Sequence, residues 1–370
     1  MSEKFKYAHS AEAQPNQALQ DCLAQIGKVP AAANLGFVYV TDAFVADMPE
    51  ILAQVKLATG VKHWVGSAGI GVCATDHEYL DCPAMVMMLG EFAEDSFRVI
   101  DTISSEEEIP DAIKLGEESA YFGIVHGDPE NQHVPELIRQ FAEKMESGFV
   151  VGGITSSRIR HTQVADNITQ GGLSGVAFSS AVAVSTRLTQ GVSPLGKIYQ
   201  ITESERNIIA TLDGRPALDV LKEEIGEVLF KNPERLGNYI FAGLPIAGSD
   251  TGDYVVRNIV GMDLDDKLLA IGEYVQPGTS LMFCRRDGKS AVDDMQRMLD
   301  SLKSGLTGEP RGAVYYSCLG RGEGLFGPDS EELKIISRSL GPIPLVGFFA
   351  NGEISHNRLY GYTGVLTLFL

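Results

Sequence analysis

The chain has 370 residues, of which 44% are hydrophobic and 21% charged, as in an ordinary folded globular protein. Its formal net charge of −19 argues against nucleic acid or an anionic membrane surface as a partner, because both need a basic surface. The 5 cysteines do not suit a disulfide framework, and neither a secretory signal nor a long apolar run is present. These features predict a cytoplasmic protein without membrane insertion.

Three stretches of the chain share one order of predicted elements: strand, helix, strand, strand. A Val-Gly pair follows the helix in every copy, which favours duplication over chance. In chain order, the copies are strand 35–40, helix 50–59 and strands 64–67 and 84–89; strand 120–125, helix 134–145 and strands 149–154 and 175–178; strand 312–318, helix 330–340 and strands 344–349 and 363–369. The pairs are Val65-Gly66, Val151-Gly152 and Val346-Gly347.

The predicted strands are apolar on both faces, whereas the helices are apolar on one side only. In the helix 134–145, for example, Leu137, Ile138 and Phe141 fall on one stripe. A one-sided helix covers only one face of a sheet, so the other face must pack on a second sheet. The sequence therefore predicts an α+β fold in which repeated β-α-β-β units form two packed mixed sheets flanked by helices.

The clearest internal break is the Gly, Pro and Ser cluster at 189–196. A hairpin with strands 197–202 and 207–212 is predicted next, followed by a helix at 216–229 and a strand-rich segment at 239–286. We predict two domains: residues 1–214, which hold two units and the hairpin, and residues 215–370, which hold the last unit.

A Gly-rich loop at 318–327 satisfies G-x-G-x-x-G between a strand and a helix. Carboxylates at 329–332 would repel a pyrophosphate, so this is not a dinucleotide site. The glycines instead predict a tight turn that brings Arg321 to the edge of a cavity, where its guanidinium binds a ligand carboxylate. The alternative is a surface ion pair of Arg321 with Glu323 or Glu331.

Small or polar residues follow the Val-Gly strand in all three copies, at 68–69, 155–157 and 351–353. Because equivalent loops cluster when units stack, these loops predict a shared ligand pocket. The candidate ligand-binding residues are Arg321, Gly320, Gly322, Cys318, Asn351, Glu353 and Ser156.

Metal and cofactor signals are weak. Cys73, His77 and Cys82 supply three ligands, whereas structural zinc needs four, so we predict no metal site. A noncovalent haem pocket has no sequence signature. If haem is bound, His161 or His126 is a candidate axial ligand.

No nucleophile elbow, phosphate-binding loop or zinc-protease motif is present. Cys318, which lies beside Arg321 near a helix start, is a candidate nucleophile if the protein is an enzyme. A cysteine at a strand end is more commonly inert packing. We therefore predict no catalytic residues.

The segments 314–322, 344–354 and 361–369 resemble the FIST C-terminal domain, and the segments 191–196 and 212–217 resemble the end of the FIST N-terminal domain. The resemblance implies a stand-alone sensory module of signal transduction without a fused output domain. It further implies a non-catalytic protein that binds small ligands such as amino acids or other small acids.

The resemblance also leaves two alternatives. One is a haem-binding nitric-oxide or gas sensor that regulates a separate histidine kinase, and the other is an enzyme of unknown chemistry that uses Cys318. For a sensor, the expected partners are a small ligand and a separate signalling output protein. No cofactor is expected outside the haem alternative.

Overall fold

A computed structural model describes residues 5–246 and 254–370. The chain divides into two compact units, Met1–Thr189 with Val292–Leu370, and Gln190–Ala291. We call the first the repeat unit, because it contains all three predicted copies, and the second the inserted unit. The copies are numbered repeats 1, 2 and 3 in chain order.

Strands make up most of both units. The strands are β1 (Phe5–Ser10), β2 (Leu35–Thr41), β3 (His63–Gly69), β4 (Gly71–Ala74), β5 (His77–Leu80), β6 (Met85–Gly90), β7 (Phe97–Ile103), β8 (Lys114–Leu115), β9 (Glu118–Ser119), β10 (Phe122–Gly127), β11 (Phe149–Ile154), β12 (Gln163–Ala165), β13 (Asn167–Thr169), β14 (Leu173–Phe178), β15 (Val184–Gln190), β16 (Val192–Glu205), β17 (Ile208–Leu212), β18 (Arg215–Pro216), β19 (Ile240–Pro245), β20 (Tyr254–Asp263), β21 (Leu268–Ile271), β22 (Ser280–Arg286), β23 (Gly312–Cys318), β24 (Leu345–Ala350), β25 (Glu353–His356), β26 (Arg358–Tyr360) and β27 (Thr363–Phe369).

Helices connect the strands. They are α1 (Pro15–Ile26), α2 (Met48–Thr59), α3 (Val134–Glu143), α4 (Ala217–Ile225), α5 (Glu227–Phe230), α6 (Pro233–Tyr239), α7 (Gly288–Ser304), α8 (Glu323–Phe326) and α9 (Glu331–Leu340), with 3-10 turns at Asp42–Asp47 and Glu106–Glu108. In the described residues, no helix is both long and apolar enough to cross a bilayer.

The three repeats share one topology. In each of them the second strand pairs parallel to the first, and the third strand pairs antiparallel to the first on its other side. The central strands are β2 between β3 and β6, β10 between β11 and β14, and β23 between β24 and β27. The predicted β-α-β-β repeat is therefore confirmed.

The shared glycine of the Val-Gly pairs has a steric cause. A Cβ built on each of these glycines would lie 1.7 Å from the carbonyl oxygen of a residue in the first strand. Only a residue without a side chain fits such a close approach of two strands. The facing pairs are Gly66 with Val38, Gly152 with Val125, and Gly347 with Tyr315.

The repeats also exchange hairpins in a cycle. The hairpin β4–β5 of repeat 1 joins β24 of repeat 3, the hairpin β25–β26 of repeat 3 joins β11 of repeat 2, and the hairpin β12–β13 of repeat 2 joins β3 of repeat 1. The resulting sheets have 6 strands each, in the orders β1-β6-β2-β3-β12-β13, β26-β25-β11-β10-β14-β7 and β15-β27-β23-β24-β4-β5. Each sheet thus contains strands from two repeats.

The inner faces of the three sheets share one hydrophobic core, to which Phe37, Phe122 and Phe348 each contribute from a different sheet. Helices α1 and α2 pack on the outer face of the first sheet, α3 on the second, and α7 and α9 on the third. The predicted α+β class with packed mixed sheets flanked by helices is confirmed. Within the repeat unit the packed sheets number three rather than two, because every repeat builds its own sheet.

The inserted unit contains a 7-stranded sheet in the order β16-β22-β19-β20-β21-β17-β18, and α4 packs on it. The predicted hairpin is present as β16 and β17, which pair antiparallel. The inserted unit lies in the chain between β15 and β23, two strands of the third sheet, so it separates repeat 3 from repeats 1 and 2 along the chain. The domain boundary that we predict between residues 214 and 215 falls inside this unit.

Candidate functional site

Three side chains from equivalent positions meet at the centre of the repeat unit. Tyr39, His126 and Tyr316 each follow the residue that faces the shared glycine of their repeat, and all three are 0% exposed. The Tyr39 hydroxyl lies 3.2 Å from Nε2 of His126 and 2.9 Å from the Tyr316 hydroxyl. Sequence analysis missed this cluster, because the three residues share no motif and are related only by their equivalent positions in the repeats.

His126 is a buried neutral imidazole. Burial lowers its pKa from 6.5 to about 3, and its Nδ1 has no hydrogen-bond partner among the described residues. Its Nε2 is bonded to Tyr39, and the rings of Tyr316 and Phe348 pack against the imidazole. A haem group does not fit at His126, because the macrocycle would have to displace this aromatic core.

The loops that follow the second strands contact one another, and Ser156 forms hydrogen bonds with both repeat 1 and repeat 3. Its Oγ accepts the N–H of Ile70 in repeat 1 at 3.0 Å and donates to the carbonyl of Phe349 in repeat 3. The exposed Asn351 donates its backbone N–H to the carbonyl of Ile154 at 2.9 Å. Ser156 and Asn351 therefore lie at one junction of the three repeats.

Arg321 lies inside the protein rather than at the edge of a cavity. Its side chain is 0% exposed, and its Nε donates to Oε1 of the equally buried Glu332 at 2.8 Å. The same carboxylate accepts the hydroxyls of Tyr315 and Ser317 and the N–H of Gly322. A ligand carboxylate would have to displace Glu332, which is neither of the two ion-pair partners considered from the sequence.

Glu353 and Cys318 lie close together beside the Gly-rich loop. Glu353 is 0% exposed, and its Oε2 accepts the N–H and the hydroxyl of Thr363 at 3.1 and 2.8 Å. Its Oε1 has no hydrogen-bond partner among the described residues, and burial raises its pKa to about 8. Burial also raises the pKa of the Cys318 thiol far above its usual range, which opposes a role as a thiolate nucleophile. Gly320 donates its N–H to Sγ of Cys318 at 3.4 Å.

A cleft of about 290 Å³ opens at the carboxyl ends of β10 and β11. One wall is formed by residues 159–161, which belong to the loop after the Val-Gly strand of repeat 2. We call it the repeat-2 cleft. Strand carboxyl ends and the loops that follow them are common ligand sites in sheets with parallel strands. Its polar and charged lining residues are Asp128, Glu130, Asn131, Arg160, His161 and Gln170.

The repeat-2 cleft presents a cation that has no partner in the described part of the chain, Arg160, and a largely exposed carboxylate, Glu130. Arg160 is exposed, and no described residue makes a hydrogen bond or an ion pair with its guanidinium. Glu130 is 81% exposed and lies 3.8 Å from Nε2 of His161. The carboxylate of Asp128 is already hydrogen-bonded within the protein, since its two oxygens accept the N–H groups of Glu130 and Gly171 at 2.9 and 2.7 Å.

His161 lies in this cleft with its Nδ1 buried and without a hydrogen-bond partner among the described residues. A haem needs a wide apolar slot, whereas this cleft is small and lined by charged groups. The cleft therefore does not fit haem, although its histidine can bond a smaller polar molecule. No motif marks Arg160, so sequence analysis missed the cation of the cleft.

A larger groove of about 500 Å³ lies at the opposite ends of the strands, before β2 and β3. Lys62 and Arg98 line it together with Glu94, Asp95 and Asp166, and Asp166 is bonded to His63 at 2.8 Å. Acidic groups outnumber its lysine and arginine. The loops that follow the second strands do not line this groove, so we place the candidate site in the repeat-2 cleft.

A metal site is not formed by the sequence candidates Cys73, His77 and Cys82. Within residues 5–246 and 254–370, no group of three or more His, Cys, Asp or Glu side chains is arranged to hold a metal ion. Cys73 is completely buried in the core under α7 and α9.

Comparison with known proteins gives two adjoining matches. The FIST N domain matches residues 34–215, and the FIST C domain matches residues 217–356. An uncharacterized protein of Mycobacterium tuberculosis is 29% identical over 337 residues, which is 87% of this chain and 87% of that protein. An uncharacterized protein of Mycobacterium bovis is 28% identical over 320 residues, or 83% of this chain and 82% of that protein.

These matches span most of the chain, including both strands of the inserted hairpin and the Gly-rich loop with Arg321 and Glu332. FIST domains are sensory domains of signal transduction. The chain therefore belongs to the FIST family, with a FIST N domain followed by a FIST C domain.

Proposed function

We propose that this protein is a non-catalytic sensor that binds an amino acid or a related small acid in the repeat-2 cleft. The observation that supports this proposal is the uncommitted guanidinium of Arg160 in a cleft that also contains the exposed carboxylate of Glu130. In a chain with a net charge of −19, a free arginine beside a cavity is available to an acidic ligand.

The two charges match the two ends of a zwitterion. The planar guanidinium of Arg160 binds a carboxylate through two parallel hydrogen bonds, and Glu130 pairs with an ammonium group. The Nδ1 of His161 supplies a further polar contact inside the cleft. A ligand with only one charged end leaves either Arg160 or Glu130 without a partner.

The loop 155–162 links the cleft to the other repeats. Its Thr155 hydroxyl donates to the carbonyl of Ala68 at 2.5 Å, and its Arg158 pairs with Asp42 at 3.2 Å and with Asp81. Binding at Arg160 thus acts on a segment that is bonded to repeat 1 and, through Ser156, to repeat 3. A ligand that binds one conformation of this loop more tightly than another increases the population of that conformation. The surface that a signalling partner contacts changes with it.

The residues that sequence analysis selects in repeat 3 have a different place in this proposal. Arg321 and Gly322 bind Glu332, which positions the Gly-rich loop, and Gly320 bonds Cys318. They support the junction to which Ser156 and Asn351 belong. The raised pKa of Cys318 is consistent with a protein that has no thiol chemistry.

Isothermal titration calorimetry with glycine, acetate and methylamine tests the proposal. We expect glycine or a larger amino acid to bind more tightly than either single-charge fragment. Arg160→Ala should weaken binding about 10- to 100-fold, since it removes a charge-assisted bidentate contact.

Arg139→Ala is the matched control, because Arg139 is an exposed arginine of the same repeat that already pairs with Glu136 and Glu143. It should leave the affinity unchanged. Equal affinities in the wild type and Arg160→Ala, with any amino acid that binds, would remove the cleft from the proposal.

A further inference from the structure

The groove of about 500 Å³ before β2 and β3 is larger than the repeat-2 cleft, and we call it the repeat-1 groove. It is lined by residues 33–34 before β2, by residues 60–63 between α2 and β3, and by residues 94–95 and 97–99 at the start of β7. Asp166, in the turn of the exchanged hairpin β12–β13, completes the lining. Because β7 belongs to the second sheet, the groove lies where the first and second sheets adjoin.

His63 is held in this groove in one tautomer. Its Nδ1 lies 2.8 Å from Oδ2 of Asp166, whose Oδ1 accepts the backbone N–H of Trp64 at 2.9 Å. The imidazole also packs edge-on against the ring of Phe97, with the ring centres 5.6 Å apart. A carboxylate only accepts hydrogen bonds, so Nδ1 of His63 carries the proton. Its Nε2, which no described residue bonds, is therefore an acceptor in the neutral ring.

Four exposed charged side chains line the same groove without pairing with one another. They are the cations Lys62 and Arg98 and the carboxylates Glu94 and Asp95. Within residues 5–246 and 254–370, no hydrogen bond or ion pair is made to any of these four side chains. A ligand that uses all of them needs an anionic end for the two cations. It also needs N–H donors for the two carboxylates and for Nε2 of His63.

We propose that the repeat-1 groove binds a small phosphate monoester that also carries an ammonium group. At neutral pH a phosphate monoester has about two negative charges and three acceptor oxygens. These match the combined charge of Lys62 and Arg98, and both side-chain types are common phosphate ligands. A carboxylate has one charge and two oxygens, so it would satisfy only one of the two cations.

The ammonium group accounts for the carboxylates of the groove. Glu94 and Asp95 repel an anion that has no other charged part, and they outweigh the attraction of one cation. An ammonium group on the same ligand turns both carboxylates into partners, and it can donate a further hydrogen bond to Nε2 of His63. The proposal uses none of the residues of the repeat-2 cleft, so it does not depend on the function assigned to that cleft.

Four probes test which chemical groups the repeat-1 groove recognises: phosphoethanolamine, inorganic phosphate, ethanolamine and β-alanine. Calorimetry is done with Arg160→Ala as well as with the wild type, so that binding in the repeat-2 cleft is removed. In both proteins we expect phosphoethanolamine to bind more tightly than the other three. If β-alanine or ethanolamine binds Arg160→Ala as tightly, the phosphate is not recognised and the proposal is wrong.

The two cations should each contribute to phosphate binding. Lys62→Ala and Arg98→Ala should each weaken phosphoethanolamine about tenfold, since each removes a charge-assisted hydrogen bond. Arg187→Ala is the matched control, because Arg187 is an exposed arginine of strand β15 that does not line the groove. Its affinity should equal that of the wild type. Equal losses in Arg98→Ala and Arg187→Ala would mean that only net charge matters, which would overturn the site.

The carboxylates should act with opposite sign on two of the probes. The double variant Glu94→Gln with Asp95→Asn should weaken phosphoethanolamine, whose ammonium loses its partners. It should strengthen inorganic phosphate, which is relieved of repulsion. Phosphorus NMR titration follows both probes even where binding is weak. A change of the same sign for both probes would contradict the placement of the ammonium group.

His63→Phe keeps a ring against Phe97 but removes Nε2. It should weaken phosphoethanolamine several-fold and leave inorganic phosphate unchanged. If both probes lose affinity equally in this variant, His63 does not bind the ammonium group. Thermal unfolding of each variant shows whether the fold is kept, and the exposed positions Lys62 and Arg98 give the result that decides the proposal if His63→Phe is unstable.

Discussion

The hydroxyl oxygens of Tyr39 and Tyr316 lie 2.9 Å apart, although 277 residues separate them in the chain. Both residues occupy the same place in their repeats, and His126 occupies it in the third. The duplicated sequence therefore brings one position of each repeat to a common point inside the core. At that point two copies have kept a tyrosine and the third has a histidine, so the residue type differs but the position does not.

Removing the Tyr39 hydroxyl should destabilise the protein. Tyr39→Phe leaves both His126 and Tyr316 without their buried partner, which costs about 1–3 kcal/mol of unfolding free energy. Tyr316→Phe leaves the bond between Tyr39 and His126 in place and should cost less. Urea unfolding followed by the fluorescence of Trp64 measures both values. Equal losses in the two variants would show that His126 takes no part in the network.

The shared glycines should not tolerate a methyl group. Gly152→Ala places Cβ 1.7 Å from the carbonyl oxygen of Val125, so the parallel strands must separate. We expect a loss of more than about 3 kcal/mol or a failure to fold. Gly305→Ala is the control, because its Cβ would lie 3.7 Å from the nearest atoms. Thermal unfolding of the two variants makes the comparison, and similar midpoints would contradict the steric explanation.

His126 should make the protein sensitive to acid. Its pKa is about 3 in the folded state against an ordinary value of 6.5, so the unfolded state binds the extra proton between these values. The contribution of the neutral His126 to the free energy of unfolding is complete above pH 6.5 and is lost as the pH falls towards 3. His126→Gln should reduce the fall in unfolding free energy between pH 7 and pH 5. An equal fall in the wild type and in His126→Gln would show that His126 does not cause the acid sensitivity.

Glu353 should have the opposite effect on the pH dependence of stability. Its pKa is about 8 in the folded state against an ordinary value of 4.5, so the folded state holds the proton in this interval. Its contribution to stability is complete below pH 4.5 and is lost as the pH rises to 8. Glu353→Gln should therefore gain in relative stability between pH 5 and pH 8. A constant difference from the wild type across this interval would show that Glu353 is ionised throughout.

Breaking the buried ion pair should be costly. Arg321→Ala leaves the carboxylate of Glu332 enclosed without its counter-ion, at a cost of about 3–5 kcal/mol. The double variant Arg321→Met with Glu332→Gln removes both charges and should recover much of this loss. Chemical unfolding of the two proteins measures the loss of stability in each. If the single and double variants are equally unstable, packing rather than charge accounts for the role of Arg321.

The order of elements in each repeat was predictable because it depends on local patterns. One-sided helices, apolar strands and the Val-Gly pairs identify the three copies and place the loops after the second strands together. The exchange of hairpins was not predictable, since strand pairing between residues such as Gly153 and Glu353 is non-local and leaves no mark in the sequence.

The positions of the loops after the second strands were predictable, whereas their role in binding a ligand stays a prediction. The loop after the Val-Gly strand of repeat 2 does form a wall of the cleft, yet the cation there is Arg160 rather than Arg321. Arg321 looked available because its actual partner, Glu332, lies on the helix beyond the Gly-rich loop. Composition alone cannot tell an arginine that is already paired inside the protein from one that is free.

The mutual donation of hairpins has a consequence for how the number of copies can change. In an open array of repeats, another copy can be appended at an end with the earlier contacts intact. Here the first copy completes the third, the third completes the second and the second completes the first, so there is no end at which to append. A fourth copy would have to open an existing junction, and a lost copy would leave one sheet without its hairpin strands and one hairpin without a sheet to join.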